Sequence, residues 1–471
     1  MNINLICAAA LALETMPVSA KEKPFEQVAE TVRDRTGRQV RWQREVASRN
    51  EARAAVRVLI KKPLTIAGAI RIALLNNRGL QASFEEIGLS LADLRQARML
   101  ANPAAELAVK FPDRAPTAPM YEWGLAQNFL SVLMIPLRVR VAREQLEEVQ
   151  LRLSDEVVQL VAAVKSAYYD VLADEHLLSR LRVIFELHGS SLELMQNLHA
   201  AGNITDLALL QEQAEYSRAR LEIATTEVEL RAHREKLTRL LGVWGAETGW
   251  KLAANELPQL PTAEVSIQQL EKSAVAHRLD LAAARANLAR IVRAARLEKT
   301  FRFFGALDFG IAGEHEPDGA NLTGPSMRLE LPLFDQGQTR IARNEAQLRM
   351  ATAKFEQLAV EIRSTVRELR DRLIAKREVV RFYREELLPM RSQITALTLA
   401  QYNAMVLPAT DVFRARRETS ETERMMIAAM RDYWVTRAEL ERAVGGDLVP
   451  PETLRSASDA KLTTTTHSRN R

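Results

Sequence analysis

The residue types that carry catalysis are present in this chain, but they do not gather. His176, His188, His199, His233, His277 and His315 are scattered, and even His188 and His199, which fall near one helix tip, have no carboxylates at metal-ligand spacing. These histidines read as solvated surface residues. No glycine-rich phosphate loop occurs, and Cys7 is the only thiol. The pattern points to no enzyme, no cofactor and no resident metal.

What does recur is charge at alternate positions. Ala105, Leu107, Val109 and Phe111 alternate with Glu106 and Lys110, and Tyr121, Trp123 and Leu125 alternate with Glu122. Further on, Leu307, Phe309 and Ile311 flank Asp308, and Met327, Leu329 and Leu331 flank Arg328 and Glu330. A period of two with one apolar and one charged face describes strands, expected at about 104–111, 120–129, 303–312 and 325–332. Each run has the length of a tilted strand across a bilayer, and Pro112-Asp113 and Glu316-Pro317-Asp318-Gly319 supply turns. The charged positions Glu106, Lys110, Glu122, Asp308, Arg328 and Glu330 carry both signs, which suits a wet lumen better than a specific binding site. Tyr121 and Trp123 suit either a lipid interface or a core. Two arrangements are open: a small sheet packed on helices, or strands that close with sister chains. Four strands with one charged face cannot close alone, whereas three copies supply twelve, and this economy favours a trimeric barrel.

The elements that position these strands are helical rods. Leu146, Val149, Leu153, Val157, Leu160, Val164, Ala167, Val171, Leu178, Leu181 and Phe185 step by threes and fours, as do Leu348, Ala351, Phe355, Leu358, Ile362, Val366, Leu369, Leu373, Val380, Tyr383 and Leu387. A helix from near Val139 to near His199 would be about 90 Å long. The partner helices from Asp206 and Asp411 carry seams of their own (Leu207, Leu210, Ala214, Leu221, Ala224, Val228), with which each is expected to fold back on its rod. Gly202 and Asn203 suit the first turn, the second falls near Leu407-Pro408, and Thr205 and Thr410 are placed as N-caps.

The pattern also repeats at an offset of about two hundred residues. Leu64-Thr65-Ile66 to Leu80 parallels Val265-Ser266-Ile267 to Leu281, Pro136-Leu137 parallels Pro332-Leu333, and Thr205-Asp206-Leu207 parallels Thr410-Asp411-Val412. The expected organisation is a signal peptide at 1–20, an N-terminal basic appendage at 21–62, and a first repeat at 63–256 with its hairpin at about 139–242. A linker at 257–262, a second repeat at 263–446 with its hairpin at about 338–445, and a disordered tail at 447–471 complete it.

Composition agrees. The 471 residues are rich in Ala, Leu, Glu and Arg and carry a net charge of +5 with alternating signs, so nucleic acid is not an expected partner. The apolar run Ile3–Leu13 ending in Val18-Ser19-Ala20 suits export. Beyond residue 20 no apolar stretch is long enough for a helix across a bilayer, so a membrane would have to be crossed by strands.

From Leu64 to Gly446 the order of elements resembles the outer-membrane efflux protein family typified by TolC. The matching stretches are AIRIALLNN, ADLRQARMLANP (Ala92–Pro103), LELPLFDQGQ (Leu329–Gln338), HAAGNITDL (His199–Leu207) and QYNAMVLPATDVF (Gln401–Phe413). The resemblance implies a homotrimer with a twelve-stranded β-barrel in the outer membrane and a helical α-barrel in the periplasm. It also implies a periplasmic adaptor and an inner-membrane pump as partners, with passive conduction through the duct. In this frame Asp411 holds the place of the family's constriction carboxylate, but Arg414 stands where TolC has a second one, giving mixed-sign rings. Asp411 also suits a helix start. Gly202, Asn203, Asp206, Met405 and Leu407 are the candidate adaptor contacts at the tips, and outer-membrane lipid is the expected surround of the strands. The competing reading is a periplasmic coiled-coil scaffold without a pore, which has no use for strands with a charged face.

Overall fold

Strong helix formers dominate the chain, and helices dominate the fold. The computed structural model describes residues 24–114, 118–261, 266–301 and 307–448. The expected signal peptide with Cys7, the first residues of the third expected strand (303–306), Thr262 of the linker, and the tail beyond Leu448 lie outside the described residues. Along the chain run α1 (Pro24–Thr36), α2 (Val46–Ile60), α3 (Ile66–Asn76), α4 (Arg78–Arg98), β1 (Ala104–Lys110), β2 (Met120–Asn128), α5 (Phe129–Ala200) and α6 (Asp206–Leu241). Then follow α7 (Ile267–His277), α8 (Leu279–Phe301), β3 (Leu307–His315), β4 (Asn321–Leu329), α9 (Gln338–Phe382), a π-helical turn (Tyr383–Leu387), α10 (Leu388–Asn403) and α11 (Ala409–Val444). No described helix is long and apolar enough to cross a membrane.

The chain divides into two compact units. One holds Ser83–Leu153 and Leu279–Ala359 with the residues preceding Ala29; the other holds Ala29–Ala82, Ser154–Arg278 and the chain from Val360 onward.

The first unit carries the sheet, antiparallel in the order β1-β2-β3-β4. Leu107 lies opposite Trp123, and Trp123 opposite Gly313, whose missing Cβ makes room for the indole. Strands one and two fall where the alternation places them. The third and fourth differ: β3 continues to His315 and β4 starts at Asn321 and ends at Leu329, so Glu330 lies just past the strand. Pro325, the first residue of the expected fourth strand, sits inside β4 opposite Ile311. An edge strand tolerates a residue with no N–H to give, and β4 is an edge. Around the sheet's helices Phe84, Ile87 and Leu94 are fully buried, and α8 is laced to its neighbours by Glu144–Arg293 (2.6 Å) and Lys299–Glu345 (2.8 Å).

α5 begins at Phe129, earlier than the helix expected from about Val139. Asn128 ends β2 and caps the helix, its side-chain oxygen accepting the Ser131 N–H at 2.7 Å. Pro136 therefore lies inside α5, where it withholds one donor from the ladder, and Arg138 donates to the Ser131 carbonyl at 2.7 Å. The second rod is interrupted as well. Pro389 cannot donate to Glu385, and just before it the ladder lengthens to π spacing, with Leu388 N–H reaching the Tyr383 carbonyl.

In the second unit the rod seams are buried as their spacing requires: Val157, Val164, Ala167 and Val171 are inaccessible, as are Ile362, Val366, Leu373 and Val380. The α6 seam is a correction. Leu207, Leu210, Leu221 and Val228 are between 57% and 65% exposed, and the face turned inward carries Glu212, Ala219, Thr226 and Leu237 instead. Apolar periodicity located a face of α6 but not the face against α5, because the inward face is mixed polar and small.

The hairpin ends are closed by main-chain devices. α6 and α11 both end at a left-handed glycine, Gly242 (φ 68°) and Gly445 (φ 88°). The last carbonyls of α6, left without helical donors, receive Asn77 Nδ2 at Leu240 O (3.1 Å) and Asn76 Nδ2 at Gly242 O (2.6 Å). Beside them Trp250 is buried, donates to Thr238 Oγ1 at 3.2 Å, and carries the Arg234 guanidinium 4.1 Å over its ring. α1 and α2 belong to the basic appendage, with Val32 and Val56 buried, and Asp447, expected in a loose tail, pairs with Lys165 at 2.6 Å and donates its N–H to Arg35 O.

A Cβ at Gly242 would meet the Asn76 carbonyl at 2.6 Å, whereas one at Gly202 (φ 72°) would meet nothing within 4 Å. Gly202→Ala is therefore expected to cost about 1 kcal/mol of backbone strain, and Gly242→Ala on the order of 3 kcal/mol because the Asn76 bonds are lost as well. Denaturant unfolding of the full chain compares the two; equal losses would contradict the role given to the Asn76 clamp.

Candidate functional site

The sheet separates its side chains cleanly. By register, Leu107, Val109, Tyr121, Trp123, Leu125, Phe309, Ile311, Met327 and Leu329 share one face, and Glu106, Lys110, Glu122, Asp308 and Arg328 share the other. The apolar face is left open: Leu107 is 84% exposed and Met327 65%. Tyr121 and Trp123 lie on it, so they fill no core. On the charged face Lys110 pairs with Glu122, Arg328 with Glu106 at 3.4 Å, and Asn128 donates to Asp308 at 2.9 Å. Cross-strand pairs of opposite sign keep this face polar, and its acidic side chains outnumber its basic ones, with Glu314 opposite Glu122.

At the first hairpin tip, Asn203 N–H returns to Leu198 O and Gly202 N–H to His199 O, the six-to-one closure that a left-handed residue permits. Thr205 caps α6, accepting from Ala208 N–H at 3.3 Å, and Asp206 pairs with His199 at 2.6 Å. The second tip repeats the closure without glycine: Val406 N–H returns to Gln401 O, and Met405 takes φ 61°, the one positive value at a non-glycine among the described residues. Met405 is 95% exposed, with Val406 beside it also exposed and Leu407 half-buried. Thr410 is not a cap. α11 starts two residues earlier than its partner pattern suggests, with Pro408 at the N-cap and Asp411 N–H bonded to Pro408 O at 3.1 Å. Asp411 lies in the first turn, 27% exposed, and accepts from Arg414 at 3.3 Å, so the two candidate constriction residues neutralise each other within one chain.

The histidines are not bare surface groups. His188 Nδ1 lies 3.2 Å from Glu212, His233 Nδ1 2.6 Å from Asp174, and His199 meets Asp206, so three imidazoles of this hairpin find a carboxylate across it, while His176 Nδ1 is buried without a hydrogen bond. The partners are separated by 24 and 59 residues along the chain in the first two cases, which no local spacing rule detects. Among the described residues no group of three or more potential ligands gathers for a metal. Lys165 binds Glu441 and Asp447, both at 2.6 Å. Burial alone would lower its proton affinity, but the two carboxylates outweigh it and hold the ammonium up. Burial pushes the Asp174 carboxyl up, with His233 offsetting part of the rise.

Residues 124–243 match the model of the outer membrane efflux protein family. The cobalt-zinc-cadmium resistance protein CzcC of Cupriavidus metallidurans is 22% identical over 396 residues, covering 81% of this chain and 90% of that protein. A membrane protein of Pseudomonas aeruginosa shares the fold with a TM-score of 0.67 at 20% identity, over 83% of this chain and 92% of its own. The CmeC outer membrane channel of Campylobacter jejuni does so with a TM-score of 0.69 at 12% identity, over 84% and 88%. The resemblance noted from the sequence thus holds, to a family of outer membrane efflux proteins and to the fold of an outer membrane channel.

Because the folded Asp174 value is raised, its contribution to stability is full at low pH and is lost as pH rises through that raised value. Asp174→Asn is expected to flatten the fall in stability as pH rises beyond the ordinary carboxylate range. Thermal unfolding of both chains across mildly acidic pH checks this; parallel curves would contradict it.

Proposed function

We propose that this chain, a relative of the outer membrane efflux proteins, is the outer-membrane channel subunit of a tripartite efflux system. In this reading three copies assemble, each giving four strands to a twelve-stranded barrel surrounded by outer-membrane lipid. The paired helical hairpins of the two repeats form an α-barrel in the periplasm. A periplasmic adaptor meets the tips, an inner-membrane pump supplies the energy, and the chain itself conducts passively. The sheet carries the proposal: four strands with an exposed apolar face, a charged opposite face and unpaired edges at β1 and β4. Three such sheets joined edge to edge satisfy the open backbone groups and turn apolar side chains to lipid and Glu106, Lys110, Glu122, Asp308 and Arg328 to water. The two 36-residue helices α6 and α11, each closed by a left-handed glycine, support the doubled unit. A periplasmic scaffold would leave the apolar face wet, at a cost no observed contact offsets.

The test is reconstitution in a planar lipid bilayer, where stepwise conductance is expected. A purified trimer that passes no current, or a chain recovered only as a soluble monomer, would sink the channel reading. The Asp411–Arg414 pair gives a finer expectation. Arg414→Ala uncovers the carboxylate ring and should shift the reversal potential in a salt gradient toward cation selectivity, and Asp411→Asn should shift it the other way. Unchanged reversal potentials in both would remove these residues from the constriction.

Met405 offers a separate check of the tip. Met405→Gly relieves the left-handed strain and is expected to stabilise the chain by about 1 kcal/mol while weakening adaptor binding. Stronger or unaltered adaptor binding would show that the exposed thioether is not a contact.

A further inference from the structure

Where α5, α6 and α11 meet, three ionisable side chains share one buried place. His188 Nδ1 is 3.2 Å from Glu212 Oε1 and 3.1 Å from an Arg417 guanidinium nitrogen, and that nitrogen is 3.3 Å from the same carboxylate oxygen. The side chains of His188 and Glu212 are 8% and 9% exposed, and Arg417 is 23%. Guanidinium only donates, carboxylate only accepts, and one ring nitrogen cannot do both at once. With its lone pair on Nδ1, the neutral imidazole accepts from Arg417, which also donates to Glu212. One guanidinium then ties α11 to both helices of the first hairpin. With a proton on Nδ1 the ring donates to Glu212 and presents a second cation to Arg417 inside hydrogen-bonding distance, where burial leaves little screening.

We propose that His188 is a proton-operated latch: neutral, it holds α11 against the first hairpin through Arg417; protonated, it keeps Glu212 for itself and releases Arg417.

Arg417 is the member that moves. It is the most exposed of the three and it borders a cavity of about 590 Å³ that also reaches Leu387 at the π-helical turn. The charged groups around that cavity are Glu215, Arg218 and Glu222 on α6, Glu418, Glu421 and Arg424 on α11, and Arg391 on α10. Most are already matched: Arg391 with Glu418, Arg424 with Glu222 at 3.0 Å and with Glu421, and Arg218 with Glu215 at 3.5 Å. Glu421 stands four residues beyond Arg417 on the same helix, so the released guanidinium exchanges a tie between helices for one within its own. No second imidazole stands among these neighbours.

Position makes the exchange consequential. The other ion pairs from α11 to the first hairpin, Arg180–Glu423, Arg424–Glu222 and Lys165–Glu441, lie farther from the tip, and among the described residues none lies nearer the tip than Arg417. The remaining imidazole pairs, Asp174–His233 and His199–Asp206, bond within the hairpin and leave α11 untouched. Releasing Arg417 therefore frees the first turns of α11, from Ala409 to Arg416. That this freed tip is the entrance of a duct rests on the proposed function; the latch itself does not.

The experiment is a spin-label distance measurement on the full chain in a Cys7→Ser background, with labels at Leu210 and Arg416, diluted with unlabelled chain so that one label pair is present per assembly. Lowering the pH from about 8 to about 5 is expected to shift the distance distribution to longer values. His188→Gln, which accepts from Arg417 but does not titrate, should hold the short distance at both pH values. Arg417→Met should give the long distance at both. Circular dichroism establishes that each variant is folded, and if His188→Gln is not, Arg417→Met alone decides. A wild-type chain without a pH response, a response preserved in His188→Gln, or a short distance in Arg417→Met overturns the latch. Bilayer conductance is read separately, so a chain that fails to conduct but responds to pH sinks the channel reading and not the latch.

Discussion

Four strands carry the constraint on which everything else depends. Their backbone is satisfied only between β1 and β4, leaving two edges unpaired, and among the described residues the large side chains of their apolar face stay exposed, Leu107 and Met327 most of all. In water such a sheet is an aggregation hazard, with Leu107 and Met327 mostly exposed and an edge strand that carries a proline as partial protection. Both liabilities vanish together if the edges meet sister edges and the apolar face meets lipid, which is why an assembled barrel follows more naturally than any covering domain.

The helical parts solve a different problem. Their closed ends are over-determined: Gly242 admits the Asn76 carbonyl where no side chain would fit, Asn76 and Asn77 serve the orphan carbonyls, and Trp250 is packed beneath Arg234. Along the inward face of α6 polar groups recur, Glu212, Thr226 and His233, where a leucine seam would have been tighter. Paired polar groups at such positions add little net stability, since desolvation cancels much of their attraction. They do make the packing dependent on which pairs are formed, and pairs can be exchanged at small cost.

What the sequence made legible follows from the same division. Period-two strands and the α5 and α9 seams could be read because a single rule, apolar against apolar, governs them. The start of α5 could not, since the Asn128 cap prevails over Pro136. The fourth strand is expected too far along the chain because the alternation of Met327, Leu329 and Leu331 runs on past Leu329, where β4 ends. The orientation of α6 was misjudged because its most regular apolar stripe faces outward, and the inward stripe is recognisable only once His188, Asp174 and their partners are seen across the hairpin. The second cap, expected at Thr410, lies two residues earlier because Pro408 sets the helix start without any side-chain bond.

The outward stripe of α6 bears on how such a molecule can be both assembled and mobile. Leu207, Leu210, Leu221 and Val228 recur at coiled-coil spacing on a helix that already has a partner. A face of this kind is tight where it is covered, and in the proposed assembly a neighbouring helix covers it. The polar face behind it is held by discrete charged pairs. A helix gripped on one side by apolar burial and on the other by exchangeable ion pairs can be loosened from the second side without losing the first. In the proposed latch the exchangeable side is Arg417, held by Glu212 at 3.3 Å with Glu421 one helical turn along.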